Sequence, residues 1–267
     1  MIAPRVVFVL ALIAIMFPVA AAGRATIDAP ARDLRICVDP DNPPLSMNRV
    51  AAQPGVDVDV GRAIAERLDL LPRLVWVDTT YGGRALRRSL LAGQCDVFMG
   101  LPIDPAAETD GALALTRPYY STGYRLIGLQ ERSDAGSLAS DLRNGRIGVE
   151  RQSGAHMRLE QMGTRLVVYG NQPEVLDAVA RGEVDAGAIW LSDVDRLLQG
   201  RLPAMHALAG AAPEPPLRWN MAIGVRVDDV NLRASVNRVV DDLLADGRIK
   251  AIFNRYGVPF YAPITDR

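Results

Sequence analysis

The feature that most constrains the fold of this chain is an α/β unit that occurs twice. SLLAGQCDVFMG (Ser89–Gly100) ends the first copy, and DAVARGEVDAGAIW (Asp177–Trp190) ends the second. Each stretch contains an apolar helix end, a glycine, two residues, an aspartate and a buried strand. One such match could arise by chance, but here the whole order of strand, helix, strand, helix, strand repeats.

Hydrophobic spacing and turn residues place the elements of each copy. In the first copy we predict strands and helices in the order Leu34–Asp39, helix Asp57–Leu70, Arg73–Asp78, helix Gly83–Gly93 and Cys95–Gly100. In the second copy the order is Arg146–Glu150, helix Gly154–Met162, Arg165–Gly170, helix Pro173–Gly182 and Val184–Trp190. Beyond the repeat we predict a strand at Met221–Val227 and one or two helices within Leu232–Gly257.

This pattern predicts two α/β lobes, each with a mostly parallel sheet. The C-terminal segment has no partner in the repeat, so we expect it to return to the first lobe. The chain then crosses between lobes twice, near Tyr120–Arg125 and near Arg218–Ala222, and two such crossings make a hinge. The expected division is 23–122 for the first lobe, 123–218 for the second and 219–267 for the return.

The N-terminus has the pattern of a secretory signal peptide. Arg5 precedes the apolar stretch VVFVLALIAIMFPVA, which ends at Ala20 and is followed by Ala21 and Ala22. We predict a signal peptide over 1–22 and a periplasmic mature protein; the alternative is an uncleaved anchor, for which the stretch is slightly short. The formal net charge of −1 and the lack of a Lys/Arg run argue against nucleic-acid and anionic-membrane partners.

Cys37 and Cys95 are the only cysteines in the chain. An even number of cysteines in an exported protein favours a disulfide, which requires the two residues to lie on neighbouring strands. The first and third strands of such a unit are usually neighbours, so the prediction is consistent with the repeat. The alternatives are two buried free thiols or one reactive thiol.

Several motifs in order resemble the type II periplasmic solute-binding proteins, and within them solute-binding protein family 3. These motifs are VDPDNPPLS (Val38–Ser46), DVDVGRAIAERL (Asp57–Leu68), LLAGQCD (Leu90–Asp96), PYY (Pro118–Tyr120), VYGNQ (Val168–Gln172), GEVDA (Gly182–Ala186) and LADGRI (Leu244–Ile249). The resemblance covers nearly all of the mature chain. It implies a two-lobe fold that closes on a small ligand and is recognised by an ABC-transporter permease.

The chain departs from the amino-acid binders of that family at both ends of their ligand clamp. Those proteins carry T-x-x-R after the third strand, and the aligned stretch here is Asp104 to Ala107, with Ala107 at the Arg position. They also place an acid at the end of the last strand of lobe two, where this chain has Trp190. A buried ligand carboxylate without a counter-charge is heavily penalised, so the resemblance argues against an ordinary α-amino acid.

A narrower resemblance is to the substrate-binding-type proteins associated with quinoprotein (methanol) dehydrogenases. It is carried by L-R-x-C-x-D-P-x-N-x-P (Leu34–Pro44), G-x-C-D-x-x-x-G-x-P (Gly93–Pro102) and R-P-Y-Y (Arg117–Tyr120). Their W-G-P after the last strand is W-L-S here (Trp190–Ser192). This resemblance implies an alternative function as an accessory protein of a periplasmic PQQ-dependent dehydrogenase.

The carboxyl ends of the predicted parallel strands are expected to line a ligand cleft. The candidate ligand-binding residues there are Asp41, Asn42, Tyr81, Gly100, Pro102, Asp104, Glu150, Ser153 and Trp190. The acids would select a cation or a polyol, although Asp39 and Asp41 could instead cap turns. Tyr81 and Trp190 would form flat apolar walls, or else occupy the rim and the core. Ser153 precedes a helix whose N–H groups could hold an anion, or it only caps that helix.

No pattern in the chain predicts a metal site, a cofactor or a catalytic centre. His156 and His206 are the only histidines, and the sequence contains no H-E-x-x-H, G-x-S-x-G or Walker A motif. A remote enzymatic alternative is a cyclohexadienyl-dehydratase-like protein with Glu150 or Asp104 as the acid, but the Arg that it requires is absent. We therefore expect a monomeric binding protein and not an enzyme.

Overall fold

The computed structural model describes residues 32–49, 52–79, 83–103, 111–129, 145–201, 204–207 and 217–265. The strands in this part of the chain are β1 (Asp33–Val38), β2 (Asp41–Asn42), β3 (Ser46–Met47), β4 (Leu71–Trp76), β5 (Val97–Pro102), β6 (Leu113–Leu115), β7 (Tyr120–Gly128), β8 (Arg146–Glu150), β9 (Arg165–Tyr169), β10 (Ala186–Trp190), β11 (His206–Ala207) and β12 (Arg218–Arg226). The helices are α1 (Val56–Arg67), α2 (Gly83–Arg88), α3 (Gly154–Gln161), α4 (Gln172–Ala180), α5 (Val194–Leu198), α6 (Val230–Ala245) and α7 (Arg248–Arg255). The predicted signal peptide lies outside the described residues.

The main sheet has the strand order β4-β1-β5-β12-β7-β10-β8-β9. Strands β4, β1 and β5 are parallel to one another, and so are β10, β8 and β9. In each group the first strand of the repeated unit, β1 or β8, lies in the middle. The second strand of the unit, β4 or β9, lies at the outer edge. The two copies of the sequence repeat are therefore two copies of one parallel three-stranded arrangement, as predicted.

The aspartate shared by the two copies ties the third strand of each unit to the first. In the first copy, the Asp96 carboxylate accepts hydrogen bonds from the backbone and side chain of Arg35, and the Asp96 N–H donates to the Arg35 carbonyl. In the second copy, Asp185 accepts from the Arg146 backbone N–H, and its own N–H donates to the Arg146 carbonyl. Both arginines also donate to a glycine carbonyl that closes the preceding turn. The repeated glycine and aspartate are therefore explained by strand pairing.

A disulfide links Cys37 at the end of β1 to Cys95 just before β5, and neither cysteine is free. Both side chains are fully buried, in a small core with Leu90 and Phe98. The Arg226 guanidinium donates to the Cys95 carbonyl over 2.6 Å and attaches β12 to the same corner. The predicted disulfide is confirmed, and the free-thiol alternatives are excluded.

Strands β7 and β12 join the two parallel groups. Residues Tyr120–Gly123 of β7 pair with β12, and the following residues, Tyr124–Ile127, pair with β10. The C-terminal helices α6 and α7 pack with α1 in the core of the first group. After α7 the chain runs along the two joining strands, where Ile264 exchanges two hydrogen bonds with the Asn220 side chain. Trp219 of β12 packs against both the core of the first group and a core of the second.

The helix predicted over Gly83–Gly93 is shorter in the structure. It ends at Arg88, where the Leu91 N–H bonds to the Leu86 carbonyl five residues back and the Ser89 hydroxyl bonds to the Ala85 carbonyl. The i to i−4 pattern thus persists at the Ser89 N–H and changes to i to i−5 at Leu91, which ends the regular helix although the apolar spacing of the sequence continues. Within the described residues, no helix is both long and apolar enough to cross a membrane.

Candidate functional site

A pocket of about 310 Å³ opens at the carboxyl ends of β1 and β5, beside the start of α2. Its polar lining residues are Asp39, Asn42, Ser46, Asp57 and Thr79. The backbone of Gly100 to Pro102 forms another wall. This position follows the rule that ligands bind beyond the carboxyl ends of parallel strands. The structure thus brings together three of the predicted site residues, namely Asn42, Gly100 and Pro102.

Asp39 organises the mouth of the pocket. Its carboxylate accepts a 2.7 Å hydrogen bond from the Asp41 N–H, and it also accepts from the N–H and the hydroxyl of Thr79. These bonds connect the turn after β1 to the loop after β4, so Asp39 caps a turn, which is one of the two roles predicted for it. Asp41 itself is exposed on the β2–β3 hairpin and pairs with Arg49, and it is not among the residues that line the pocket.

Asp57 forms the buried end of the pocket. It lies in the first turn of α1 and is only 4% exposed. The Tyr119 hydroxyl donates to its Oδ1 over 2.6 Å. Burial raises the pKa of Asp57 to about 7, although the hydrogen bond from Tyr119 opposes this shift. The pocket therefore contains a carboxyl group that changes charge near neutral pH.

The site prediction missed Asp57, although the sequence contained a signal for it. Asp57 precedes Val60 by three residues and Ile64 by seven, so it lies on the apolar face of the predicted helix. An acid on the buried face of a helix requires a partner or a function. The spacing alone could have identified Asp57 as a candidate.

A second group of predicted residues lies at the carboxyl ends of β8 and β10. Glu150 is half-buried, and burial raises its pKa; a hydrogen bond from Gln172 lowers the pKa and the charge of Asp193 raises it. Gln172 also accepts from the Trp190 N–H over 2.9 Å. The Gln172 Nε2 lies 3.5 Å from Asp193 Oδ2, so this amide side chain links Trp190 to Asp193.

Trp190 belongs to an aromatic cluster at the joining strands. Its ring centroid lies 4.9 Å from that of Tyr124 and 5.8 Å from that of Trp219. The Arg158 guanidinium lies 4.8 Å from the centroid of the Trp219 ring. The Trp190 side chain is half-buried in this cluster, and its predicted contact with a ligand stays a prediction.

Ser153 caps α3. Its Oγ accepts a 3.1 Å hydrogen bond from the His156 N–H. One of the N–H groups proposed for an anion, that of His156, is thus bound by the Ser153 side chain. The Tyr124 ring lies beside Gly154 at the start of this helix, and burial raises the pKa of the Tyr124 hydroxyl. The anion role of Ser153 stays a prediction. Tyr81 and Asp104 lie outside the described residues, and so does Ala107.

Substituting Ser153 with alanine is expected to lower the free energy of unfolding by about 1 kcal/mol, because one N–H of α3 loses its acceptor. Urea denaturation of the mature chain would measure the loss. Ser153→Asp keeps an acceptor at the cap and serves as the control with stability close to wild type. Equal stability of Ser153→Ala and wild type would show that the cap contributes nothing.

Comparison with known proteins identifies the family. Residues 34–259 match the bacterial extracellular solute-binding proteins, family 3. The chain belongs to this family. Among its relatives, the L-arginine-binding protein of Pseudomonas aeruginosa is 27% identical over 236 residues, which cover 84% of this chain and 88% of that protein. Protein MoxJ of Methylorubrum extorquens is 24% identical over 272 residues, covering 85% of this chain and 81% of that protein.

Solved structures agree on the two-lobe fold of this solute-binding protein. The L-cystine solute receptor of Neisseria gonorrhoeae, in its unliganded open conformation, superposes with a TM-score of 0.68 at 18% identity. The match covers 89% of this chain and 97% of the receptor. At this identity the likeness shows the fold alone, so the ligand has to be argued from the residues of the pocket.

The pocket of this solute-binding protein is acidic. No Arg, Lys or His is among the described residues that line it, whereas Asp39 and Asp57 both do. The sequence contains no Arg or Lys in 77–83 or in 103–112, the two stretches that include undescribed residues next to lining residues of the pocket. Within the described residues, no group of three or more His, Cys, Asp or Glu side chains is placed to hold a metal ion. The carboxyl groups of this pocket can accept hydrogen bonds from a ligand, and they disfavour the binding of a negatively charged ligand.

Proposed function

We propose that this protein is a periplasmic receptor of the ABC-transporter type that closes on a small solute carrying ammonium or hydroxyl groups and no carboxylate. The observation that carries the proposal is the acidic pocket, lined by Asp39 and Asp57 and by no cationic side chain among its described residues. A ligand carboxylate buried there would have no counter-charge, which is heavily penalised. An ammonium or hydroxyl group would instead donate to carboxyl and amide oxygens.

The size of the pocket and the joining strands support the same proposal. A volume of about 310 Å³ lies at the lower end of the range for ligand pockets, roughly 300–1,000 Å³, so the solute is small. Strands β7 and β12 supply the two connections of a hinge. A ligand that binds the closed form better than the open form shifts the protein towards closure. Export through the 1–22 signal peptide and delivery to a permease complete the proposed role.

Matched ligand pairs test the proposal, because cadaverine and agmatine are lysine and arginine without the carboxylate. We expect at least one of the two amines to raise the thermal midpoint of the mature protein saturably, and neither amino acid to do so. Ligand at a hundred times its Kd adds about 2.7 kcal/mol to the free energy of unfolding. Differential scanning fluorimetry in phosphate buffer, which contains no competing amine, would measure the shift, with glycerol and erythritol as neutral probes.

Small-angle scattering with the same ligands provides the control for closure. A ligand that binds as a transported solute should reduce the radius of gyration, whereas adventitious surface binding should not. Lysine or arginine binding as tightly as its amine would contradict the proposal. So would the failure of every amine and polyol to change either the thermal midpoint or the scattering.

The match to protein MoxJ, together with the motifs shared with the quinoprotein-dehydrogenase-associated proteins, supports a second candidate function. In that case the protein is an accessory factor that binds a periplasmic PQQ-dependent dehydrogenase. Size-exclusion chromatography of the mature chain with a purified, PQQ-loaded dehydrogenase discriminates between the two. Co-elution without any small-molecule shift would favour the accessory role, and separate elution with a saturable shift would favour the receptor.

A further inference from the structure

Gly100 leaves the buried end of the pocket open. Its φ of +74° lies in the left-handed region that favours glycine. A Cβ at this position would lie 2.8 Å from Oδ2 of Asp57, closer than carbon and oxygen normally approach. Because both residues line the pocket, the missing side chain of Gly100 is what gives the pocket access to Asp57.

The Asp57 carboxyl group has more acceptor capacity than the protein uses. An ionised carboxylate can accept about four hydrogen bonds. Among the described residues, the Tyr119 hydroxyl is the one side-chain donor to Asp57, and it binds Oδ1. Oδ2 faces Gly100 and the pocket. A side chain that is only 4% exposed and keeps an acceptor oxygen towards a cavity is placed to bind a donor from a ligand.

The groups around Asp57 provide no cation to neutralise it. Tyr119, just before β7, and Tyr120, its first residue, lie near Asp57, and burial raises the pKa of both hydroxyls, so they remain neutral. Asp39 shares the pocket and adds negative charge. On the side of α7, Arg255 and Tyr256 contact Asp59 instead. An ionised Asp57 therefore has no positive partner among the described residues that surround it.

We propose that Asp57 anchors a protonated amine of the ligand at the buried end of the pocket, and that binding of this amine releases a proton from Asp57. The inference rests on the proposed receptor function and names the group that the receptor recognises. A buried carboxylate without a partner is costly, and a ligand ammonium supplies the missing charge. A neutral hydroxyl would satisfy Oδ2 but would leave the ionised group uncompensated.

The proton release makes the affinity depend on pH. Because the pKa of Asp57 is about 7, the carboxyl group is mostly protonated at pH 6 and mostly ionised at pH 8. The amine of the ligand stays protonated over this range. If only the ionised form binds, the apparent affinity is proportional to the fraction of Asp57 that is ionised. Binding should therefore be about tenfold tighter at pH 8 than at pH 6.

Isothermal titration calorimetry with cadaverine and agmatine at pH 6, 7 and 8 tests the inference. For the wild type we expect about a tenfold rise in affinity between pH 6 and pH 8. At pH 6 the measured binding enthalpy should differ between two buffers of different ionisation enthalpy, by the amount that corresponds to the release of nearly one proton per ligand. Asp57→Asn keeps the acceptor for Tyr119 but removes the charge, so its binding should be weak and independent of pH.

Asp59→Asn is the matched control, because Asp59 lies on the same helix but is not among the residues that line the pocket. Its pH dependence should equal that of the wild type. Amine binding that is independent of pH and equal in Asp57→Asn and wild type would overturn the inference and leave the receptor function intact, as would binding of a polyol but of neither amine. If no probe of any class binds the wild type, the receptor function fails, and the inference fails with it.

Discussion

Replacing Cys37 and Cys95 together by alanine is expected to lower the free energy of unfolding by more than about 4 kcal/mol. The disulfide closes a loop with a sequence separation of 58, and the chain-entropy estimate for a loop of this length is about 4 kcal/mol. Both cysteines are fully buried, so the loss of their sulfur atoms removes packing contacts as well. Guanidinium chloride denaturation of the oxidised wild type and of the double variant at pH 7 would measure the difference.

The reduced wild type separates the two contributions. Reduction removes the cross-link but keeps both sulfur atoms, so the reduced protein should lie between the oxidised wild type and the double variant. A double variant whose free energy of unfolding lies within about 1 kcal/mol of that of the oxidised wild type would show that the disulfide does not stabilise the protein by lowering the conformational entropy of the unfolded chain. The predicted export to an oxidising compartment also agrees with a protein whose stability depends on this bond.

Much of the fold could be predicted because the same contacts recur in both units. The G-x-x-D junction is local in sequence, and its role in pairing the third strand to the first is the same at Asp96 and at Asp185. Hydrophobic periodicity then places the helices, and an even cysteine count on neighbouring strands indicates the disulfide. The bounds of α2 could not be predicted this way, because its end depends on side-chain and backbone bonds that the periodicity does not record.

The candidate site was harder to predict because its geometry depends on residues far apart in the sequence. Asp57 reaches the pocket only because Gly100, on a different strand, has no side chain. Trp190 meets Trp219 only because β7 and β12 are joined next to β10. Residue types at strand ends can suggest where a ligand binds. They do not show which buried group lies behind them.

The Asp57→Asn variant is expected to gain stability relative to the wild type as the pH rises from 5 to 8. The pKa of Asp57 is about 7 in the folded protein and about 3.9 in an unfolded chain. Between these values the folded state holds a proton that the unfolded state has lost, so the stability of the wild type falls as pH rises from about 4 to about 7. An asparagine side chain has no such titration, so the advantage of the variant should grow by on the order of 3 kcal/mol between pH 5 and pH 8.

Urea denaturation of wild type, Asp57→Asn and Asp59→Asn at several pH values would measure this advantage. Other carboxylates, such as Asp96, titrate alike in wild type and Asp57→Asn, so their contributions cancel in the difference. Asp59→Asn should be less stable than wild type, because it weakens the contacts with Arg255 and Tyr256, and it should not show the gain in stability at pH 8 that is expected of Asp57→Asn. Parallel curves for wild type and Asp57→Asn would mean that Asp57 is not buried as a neutral acid.

An advantage of Asp57→Asn that grows with pH, as expected, would bear directly on the function of the pocket. An acid in a pocket whose pKa is raised by burial is a candidate for a functional role. Ligand binding offers such a role, because an ammonium at Oδ2 would offset the unfavourable charge and restore the lost stability. We therefore expect cadaverine or agmatine at saturating concentration to bring the wild type close to Asp57→Asn at pH 8. At pH 5, where Asp57 is mostly protonated, the same concentration of amine should stabilise the wild type far less than at pH 8.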